Sequence, residues 1–226
     1  MNPIPKALLS AALLLLCFAC NGPSSEAQRQ NPDRAVRQVS LEAPRGRALA
    51  AFAEGCFWCV EEVFEAVQGV DSAVSGYAGG TTPKPTYQSV GGGRTDHAEA
   101  VLVYYDPQVI SYAELLNVFF ASHDPTTLNR QGPDAGPQYR SIAFYQTAAE
   151  KSEAERAKSA LAAAKTFKRP IVSEIKPLTA FYRAEGYHQD YTRHNPDDGY
   201  VRQVSVPRFE RFKRTYRGTL KSAQAH

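Results

Sequence analysis

Apolar positions along the chain follow two different periods, which predicts a mixture of strands and helices. Residues 48–53 are a short apolar run that ends just before Gly55, typical of a buried strand. Apolar residues then recur at helical spacing, at Val60, Val63, Phe64 and Val67. Gly69 is a suitable terminator for that helix. We therefore expect Cys56 at a strand-to-helix turn, at or near the N-terminus of the helix.

The remainder of the chain continues this mixture of elements. Two capping boxes, Ser111 with Glu114 and Thr147 with Glu150, predict helices, the second of which extends to about Lys168. Four segments have the apolar content of strands: residues 72–77, 99–105, 140–145 and 171–175. Strands and helices mixed within one chain of domain size predict a single two-layer α/β or α+β unit.

The N-terminus has a different pattern from the rest. Residues 7–19 form an apolar run that is too short for a comfortable membrane span, and small Ala19 stands directly before Cys20. This arrangement resembles a bacterial lipoprotein signal, with residues 1–19 removed and Cys20 lipidated. We expect an exported, periplasmic, lipid-anchored protein, and Asn21 slightly favours the outer membrane. The alternative is a plain secretory signal that is cleaved near Ala19.

Polarity also sets the expected domain boundaries. Residues 20–46 contain few large apolar side chains and too little apolar surface to offset the entropy of ordering, so they are expected to form a flexible tether. The catalytic domain is expected at 47–215, and residues 216–226 are expected to form a C-terminal tail.

Composition and cysteine content narrow the function. Apolar residues are 43% of the 226, as in soluble globular proteins, and a net charge of +3 is too small to indicate nucleic acid binding. Of the four cysteines, Cys17 leaves with the signal and Cys20 carries lipid. The remaining pair, Cys56 and Cys59, is either a redox centre or half of a metal site.

The position of this pair favours redox chemistry. At a helix N-terminus, the macrodipole and free backbone N–H groups favour the thiolate form of Cys56, which is the nucleophile. Cys59 follows one helical turn later, about 5–6 Å away, which is within the reach of a disulfide. Phe57 and Trp58 place two large rings beside the nucleophile and predict an apolar pocket wall.

Nine motifs together resemble the A-type peptide-methionine (S)-S-oxide reductases, in the variant with a G-C-F-W-C active-site motif. They are G-C-F-W-C at 55–59, S-G-Y-A-G-G at 75–80, P-T-Y at 85–87, T-D-H-A-E-A-V at 95–101, Y-D-P at 105–107, H-D-P-T at 123–126, R-Q-G-P-D at 130–134, Q-Y-R-S at 138–141 and A-E-G-Y-H-Q at 184–189. The resemblance extends from about residue 49 to 215. It implies a single α/β domain with a mixed sheet flanked by helices and long coil.

The resemblance also implies a reaction, the reduction of methionine-S-sulfoxide, free or in proteins. The Cys56 thiolate attacks the sulfoxide sulfur and becomes a sulfenic acid, while Glu99 protonates the departing oxygen. An acid that works near neutral pH needs a raised pKa, which burial of Glu99 supplies. Phe57 and Trp58 match the family's pocket for the terminal methyl group of the substrate.

Further site residues are implied in the same way. Tyr87 and Tyr139 match two tyrosines that hydrogen-bond the sulfoxide oxygen, where charge develops. Asp134 matches a carboxylate that binds substrate or orders water near Cys56. His188 lies in a family-like Tyr-His-Gln-Asp run, and we expect it to be structural.

One departure from the family concerns the resolving cysteine. Many members carry it near the C-terminus after a Gly-Tyr pair, but here Gly199 and Tyr200 are followed by Val201. No cysteine occurs beyond Cys59, so we expect Cys59 to resolve the sulfenic acid as a Cys56–Cys59 disulfide. A thioredoxin-like partner then reduces it, with no cofactor or metal, and the enzyme is expected to be monomeric. The alternative is direct attack of the external reductant on Cys56.

Three other classes of protein compete with this hypothesis. A thioredoxin-type oxidoreductase would have a cis-Pro loop near the cysteine pair and would act on protein disulfides. A structural metal site would join Cys56 and Cys59 with His97 or His188. A non-enzymatic lipoprotein binding module would leave the paired cysteines without a role.

Overall fold

The computed structural model describes Met1 and residues 36–222. The predicted signal peptide, the lipidated Cys20 and most of the predicted tether lie outside these residues. Among the described residues, no helix is long and apolar enough to cross a membrane.

The described residues form one mixed sheet and a small hairpin. The strands are β1 (Arg37–Gln38), β2 (Ala48–Glu54), β3 (Val70–Ala78), β4 (Ala98–Tyr105), β5 (Arg130–Gln131), β6 (Asp134–Ala135), β7 (Ser141–Tyr145), β8 (Glu174–Pro177) and β9 (Phe181–Arg183). The order in the large sheet is β1-β9-β3-β4-β2-β7-β8, and β5 pairs with β6 in the hairpin. The pair β7–β8 is parallel, whereas the other neighbours run antiparallel.

Helices pack against this sheet. They are α1 (Phe57–Glu65), α2 (Tyr87–Gly91), α3 (Tyr112–Ser122), α4 (Ala148–Ala163), α5 (Tyr191–His194) and α6 (Val206–Thr215). Two 3-10 turns, Pro137–Tyr139 and Gly186–His188, and a π-helical turn, Val201–Ser205, complete the description. Both predicted capping boxes are confirmed, at the N-termini of α3 and α4.

The two faces of the sheet are buried in different ways. On one face, Phe52 of β2 stacks on Phe64 of α1 and Phe119 of α3, with ring centroids 5.0 and 5.4 Å apart. The other face consists largely of small and aliphatic side chains around Leu102 and Ile142. Because both faces are covered, the central strands are almost continuously apolar, as the sequence pattern predicted.

The packed domain begins before the predicted boundary at residue 47. Arg37 and Gln38 pair with β9, and the Val39 N–H donates to the Phe181 carbonyl at 3.0 Å. Val39 and Leu41 then cover the second face of the sheet. The described end of the predicted tether is therefore part of the fold. A few apolar side chains are enough to order a polar segment when it can also pair with the edge of a sheet.

Three other boundaries also differ from the sequence-based ones. Helix α4 ends at Ala163, before Lys168, because Lys165 adopts a left-handed conformation with φ of 50°. Strand β8 begins at Glu174 because the Val172 N–H donates instead to the Pro125 carbonyl, at 2.8 Å. Beyond residue 215, Leu220 forms a bridge with Val67.

Candidate active site

A glycine turn places Cys56 between β2 and α1. Gly55 has φ of 101°, and a Cβ at this position would lie 2.6 Å from the Cβ of Gln131. Only glycine fits without strain, since an L side chain rarely adopts this φ and would also clash. Cys56 is consequently the N-cap residue of α1, as predicted, and it is only 7% exposed.

A buried carboxyl group lies at the same helix N-terminus. Glu99 of β4 is 1% exposed, and its Oε2 accepts a hydrogen bond from the backbone N–H of Phe57 at 3.1 Å. Burial raises the pKa of Glu99 to about 8, against this hydrogen bond and with help from the charges of Asp134 and Cys59. Glu99 is thus protonated at neutral pH, which is the state that a proton donor requires.

The pKa values of the two thiols are shifted in opposite directions. Burial raises the pKa of Cys56 well above its ordinary value, and the neighbouring Cys59 and Glu99 raise it further. The hydrogen bond from Cys56 lowers the pKa of Cys59 to about 6, against burial and with help from the charge of Arg208. The helix N-terminus was expected to favour the thiolate of Cys56. In the folded protein burial opposes that charge, whereas the hydrogen bond from Cys56 and the charge of Arg208 favour the thiolate of Cys59.

Tyr200 and Asp134 form a hydrogen-bonded pair beside the thiols. The Tyr200 hydroxyl donates to Asp134 Oδ2 at 2.5 Å and is also hydrogen-bonded to Cys56. Burial raises the pKa of Asp134, whereas the Tyr200 bond opposes that rise. No role was predicted for Tyr200 from the sequence. Only its position in the Gly199-Tyr200 pair, after which many family members carry a cysteine, could have drawn attention to it.

Phe57 and Trp58 form the predicted aromatic wall, together with residues from the C-terminal half of the chain. The Trp58 ring stacks on Tyr191 with centroids 3.8 Å apart, and its Nε1–H donates to Nδ1 of His188 at 3.1 Å. The ring of Phe57 is fully buried, 5.1 Å from His188. The indole is therefore fixed by stacking on one face and by a hydrogen bond at its edge.

His188 has a structural position in this wall. Burial lowers its pKa to about 4, against the charge of Glu185, so the ring is neutral at physiological pH. Because Nδ1 accepts from Trp58, the proton resides on Nε2. Glu185 in turn accepts from Tyr77 and from the backbone of Tyr87, at 2.9 and 3.0 Å. These partners lie far apart in sequence and were not predicted.

The two predicted tyrosines lie around Glu99. Tyr87 opens helix α2, and burial followed by the charge of Glu99 raises its pKa to about 12. Tyr139 ends a 3-10 turn, and its pKa is raised by burial and then by the charges of Glu99 and Asp134. Both hydroxyl groups therefore remain protonated donors near the thiol and the buried carboxyl.

The residues of the metal-site alternative do not gather around the thiols. His97 Nε2 lies 2.8 Å from the Thr82 carbonyl, and His188 bonds Trp58. Among residues 36–222, no group of three or more His, Cys, Asp or Glu side chains is placed to hold a metal ion.

A thiol at a helix N-terminus and a buried, protonated carboxyl, with aromatic side chains around them, are typical of a thiol-dependent oxidoreductase, here on an α/β fold. Residues 48–220 match the family described as peptide methionine sulfoxide reductase. The chain belongs to this family, and its reaction is the reduction of methionine sulfoxide to methionine. The predicted family, fold and enzyme class are thereby confirmed.

Individual relatives agree with this assignment. The chain is 46% identical to peptide methionine sulfoxide reductase MsrA 1 of Rhodopirellula baltica, over 82% of this chain and 95% of that protein. It is 49% identical to the Deinococcus radiodurans MsrA, over 76% and 84% of the two chains. The crystal structure of reduced Mxr1 from Saccharomyces cerevisiae superposes with a TM-score of 0.65 at 37% identity, covering 70% of this chain and 91% of that one. Methionine sulfoxide reductase A of Corynebacterium diphtheriae gives 0.61 at 36% identity, with coverage of 68% and 77%.

Proposed function

We propose that the chain reduces the S epimer of methionine sulfoxide, free and in proteins, with Cys56 as nucleophile and Glu99 as acid. One observation carries these roles. The Glu99 carboxyl is buried, has a pKa of about 8 and is bonded to the N–H of the residue that follows Cys56. The thiol then attacks the sulfoxide sulfur, and the protonated carboxyl donates its proton to the oxygen of the same sulfoxide.

In the first step, the sulfur of Cys56 attacks the sulfoxide sulfur. The Cys56 proton moves along the existing hydrogen bond to the Cys59 sulfur, and Glu99 protonates the sulfoxide oxygen. The attack forms a sulfur–sulfur bond between Cys56 and the substrate. As the adduct collapses, the substrate sulfur–oxygen bond and this sulfur–sulfur bond break, the hydroxyl transfers to the Cys56 sulfur, and methionine leaves with the electron pair. Cys56 becomes a sulfenic acid, so it is oxidised by two electrons and the substrate is reduced by two.

Around this centre, the polar and aromatic groups have separate roles. Tyr87 and Tyr139 donate hydrogen bonds to the sulfoxide oxygen, where negative charge develops. Asp134 orients substrate or water through the Tyr200 hydroxyl. Phe57 and Trp58 enclose the terminal methyl group, which offers no polar group for recognition.

In the second step, Cys59 attacks the sulfur of the Cys56 sulfenic acid, because no cysteine follows Cys59 in the chain. Cys59 attacks as the thiolate after giving up the proton it received, and that proton goes to the departing hydroxyl. A sulfur–sulfur bond forms, the sulfur–oxygen bond breaks, and the hydroxyl leaves as water. The hydrogen bond between the two cysteines supports this step, because it keeps the two thiols within reach of each other. A thioredoxin-like dithiol then reduces the disulfide, so that the enzyme needs no prosthetic group and acts as a monomer.

A further proposal concerns location. The apolar run at 7–19 and the small residue before Cys20 support export and lipid anchoring in the periplasm, slightly favouring the outer membrane. Metabolic labelling of the full chain with a radioactive fatty acid tests this proposal. Label on the wild type that is lost in Cys20→Ala supports the lipid anchor, and equal labelling of both refutes it.

The catalytic proposal is tested by single-turnover reduction of methionine-S-sulfoxide without added reductant. The wild type should form one methionine per enzyme, and Cys56→Ser should form none. Thiol mapping by mass spectrometry should then find a Cys56–Cys59 disulfide. Oxidised Cys56 with a free Cys59 would instead show that the external reductant attacks Cys56. Activity that survives in Cys56→Ser would overturn the assignment of the nucleophile.

A further inference from the structure

A buried cation lies beside the glycine turn that precedes Cys56, and the reaction described above does not use it. Arg208 of α6 is 5% exposed. Its Nε donates to the Ser122 carbonyl, and its Nη2 donates to the Glu54 carbonyl and to Glu54 Oε1, each at 3.0 Å. Charged side chains are rarely this buried unless they are paired. The guanidinium is therefore held in one orientation by two different elements, β2 and α3.

The anchor of this cation is itself a fully buried network. Glu54 is 0% exposed and also accepts from the Ser122 hydroxyl at 2.8 Å. Its Oε2 lies 3.1 Å from His123 Nδ1. Such a network leaves Arg208 little freedom to move, so its charge acts on a fixed region of the site.

That region is the glycine turn and the face of α1 that carries Cys59. The Nη1 atom of Arg208 lies 3.4 Å from where a Cβ on Gly55 would stand, directly before Cys56. Ser205, three residues before Arg208 and thus on the same helix face, has its Oγ 3.1 Å from Cys59 Sγ. One short segment therefore places a hydroxyl against Cys59 and a cation against the glycine turn at which α1 begins.

We propose that Arg208 is a positioning residue for the resolving step, in which its cation and the Ser205 hydroxyl hold Cys59 as the attacking thiolate. This inference rests on the proposed role of Cys59. A thiolate, not a thiol, attacks the sulfenic sulfur, so a fixed positive charge beside Cys59 increases the reactive fraction. In the disulfide the charge is gone, so the same cation favours the reduced form and makes the disulfide more oxidising.

The electrostatics of the site agree with this geometry. The pKa of Cys59 is lowered first by the hydrogen bond from Cys56, and then by the Arg208 charge and the Ser205 bond, against burial. The pKa of Arg208 is raised by Glu54 and by both thiols, against burial, so the guanidinium stays charged. The other titratable groups whose charges are coupled to Cys59 are Cys56, Glu62, Glu99, Asp134 and Tyr200.

The test must distinguish the effect of the Arg208 charge on Cys59 from a loss of protein stability. Arg208→Met alone leaves Glu54 as an unpaired buried charge, which destabilises the protein. The informative variants are therefore Glu54→Gln/Arg208→Met, which removes both charges, and Arg208→Lys, which keeps the cation. Arg211→Met is the matched control, because it removes an exposed cation three residues further along α6.

Two quantities are measured: the rate of disulfide formation after a single turnover, at pH 5, and the equilibrium constant of the disulfide with glutathione, at pH 8. Opposite charges within a few ångströms shift a pKa by about one unit or more. At pH 5 a rise of one unit in the pKa of Cys59 lowers its thiolate fraction about tenfold, and the greater nucleophilicity of the more basic thiolate recovers about threefold of this. The double variant should therefore form the disulfide about threefold more slowly. At pH 8 its equilibrium should shift about tenfold towards the oxidised form, which is about 30 mV. Arg208→Lys keeps the cation and Arg211→Met removes an exposed one, so both should stay within about 1.5-fold of the wild-type rate and within about threefold of its equilibrium constant.

The possible results have distinct meanings. A double variant that forms the disulfide at the wild-type rate overturns the role of Arg208. So does slow formation in both Arg208 variants with an unchanged glutathione equilibrium, because only a structural defect would produce it. If the wild type itself forms no Cys56–Cys59 disulfide, the proposed role of Cys59 fails first.

Discussion

Replacing Glu99 by Gln should have two separate effects: a lower rate of the chemical step and a changed free energy of unfolding. The amide still accepts the Phe57 N–H bond but has no proton to give to the sulfoxide oxygen. General acid catalysis contributes about 10²–10⁴-fold, so the single-turnover rate at pH 7 should fall by that factor, about 3–5 kcal/mol.

The same change should make the free energy of unfolding less dependent on pH. The pKa of Glu99 lies at about 8 in the fold and at an ordinary value of 4.5 in the unfolded chain. Between these values the folded state holds one more proton, so stability falls as pH rises, by about 1.4 kcal/mol per pH unit. From pH 5 to 7.5, Glu99→Gln should therefore gain about 3 kcal/mol relative to the wild type.

Urea unfolding across this pH range measures the second effect, and rapid-quench formation of methionine measures the first. Glu61→Gln is the matched control. Burial raises the pKa of Glu61 to about 8 as well, but its carboxyl bonds Ser75 and the Asp190 N–H instead of the turn at Cys56. It should show the same change in pH dependence with a normal chemical step. A Glu99→Gln rate within about threefold of the wild type would refute Glu99 as the acid.

Three further outcomes follow from the same site. Tyr200→Phe removes the hydroxyl that bonds Asp134 and Cys56, so rapid-quench methionine formation should slow about tenfold; an unchanged rate would show that the hydroxyl is dispensable. Trp58→Ala opens the apolar wall, and steady-state kinetics with a peptide substrate should show KM raised about tenfold, whereas an unchanged KM would place the methyl pocket elsewhere. Gly55→Ala should cost about 1–3 kcal/mol in urea unfolding, and a wild-type midpoint would mean that the turn relaxes.

The elements nearest to the active cysteine could be predicted because their signals are local. The strand before Gly55, the helix after it and the two capping boxes each depend on residues within one or two turns of each other. Glu99 is different. It lies 42 residues from Phe57 and would have been taken for an ordinary strand-end acid without the resemblance to a known family.

The C-terminal partners of the site could not be predicted from local patterns. His188 contacts Trp58 across 130 residues, Ser205 contacts Cys59 across 146, and Arg208 contacts Glu54 across 154. A lone histidine, serine or arginine in a polar segment has no periodicity that reveals such a contact. These residues become part of the site only when α6 and the preceding turns pack against α1.

The sequence by itself determined that two cysteines one turn apart lie at the start of a helix, with two aromatic rings between them. Tertiary structure decided the surroundings of each sulfur. Burial raises the pKa of Cys56, whereas Cys59 faces a hydroxyl and a cation from α6 and its preceding turn. The physical reason is that spacing along a helix is set by local geometry. The pKa of a buried thiol depends on the solvent it loses and on charges brought close by distant parts of the chain.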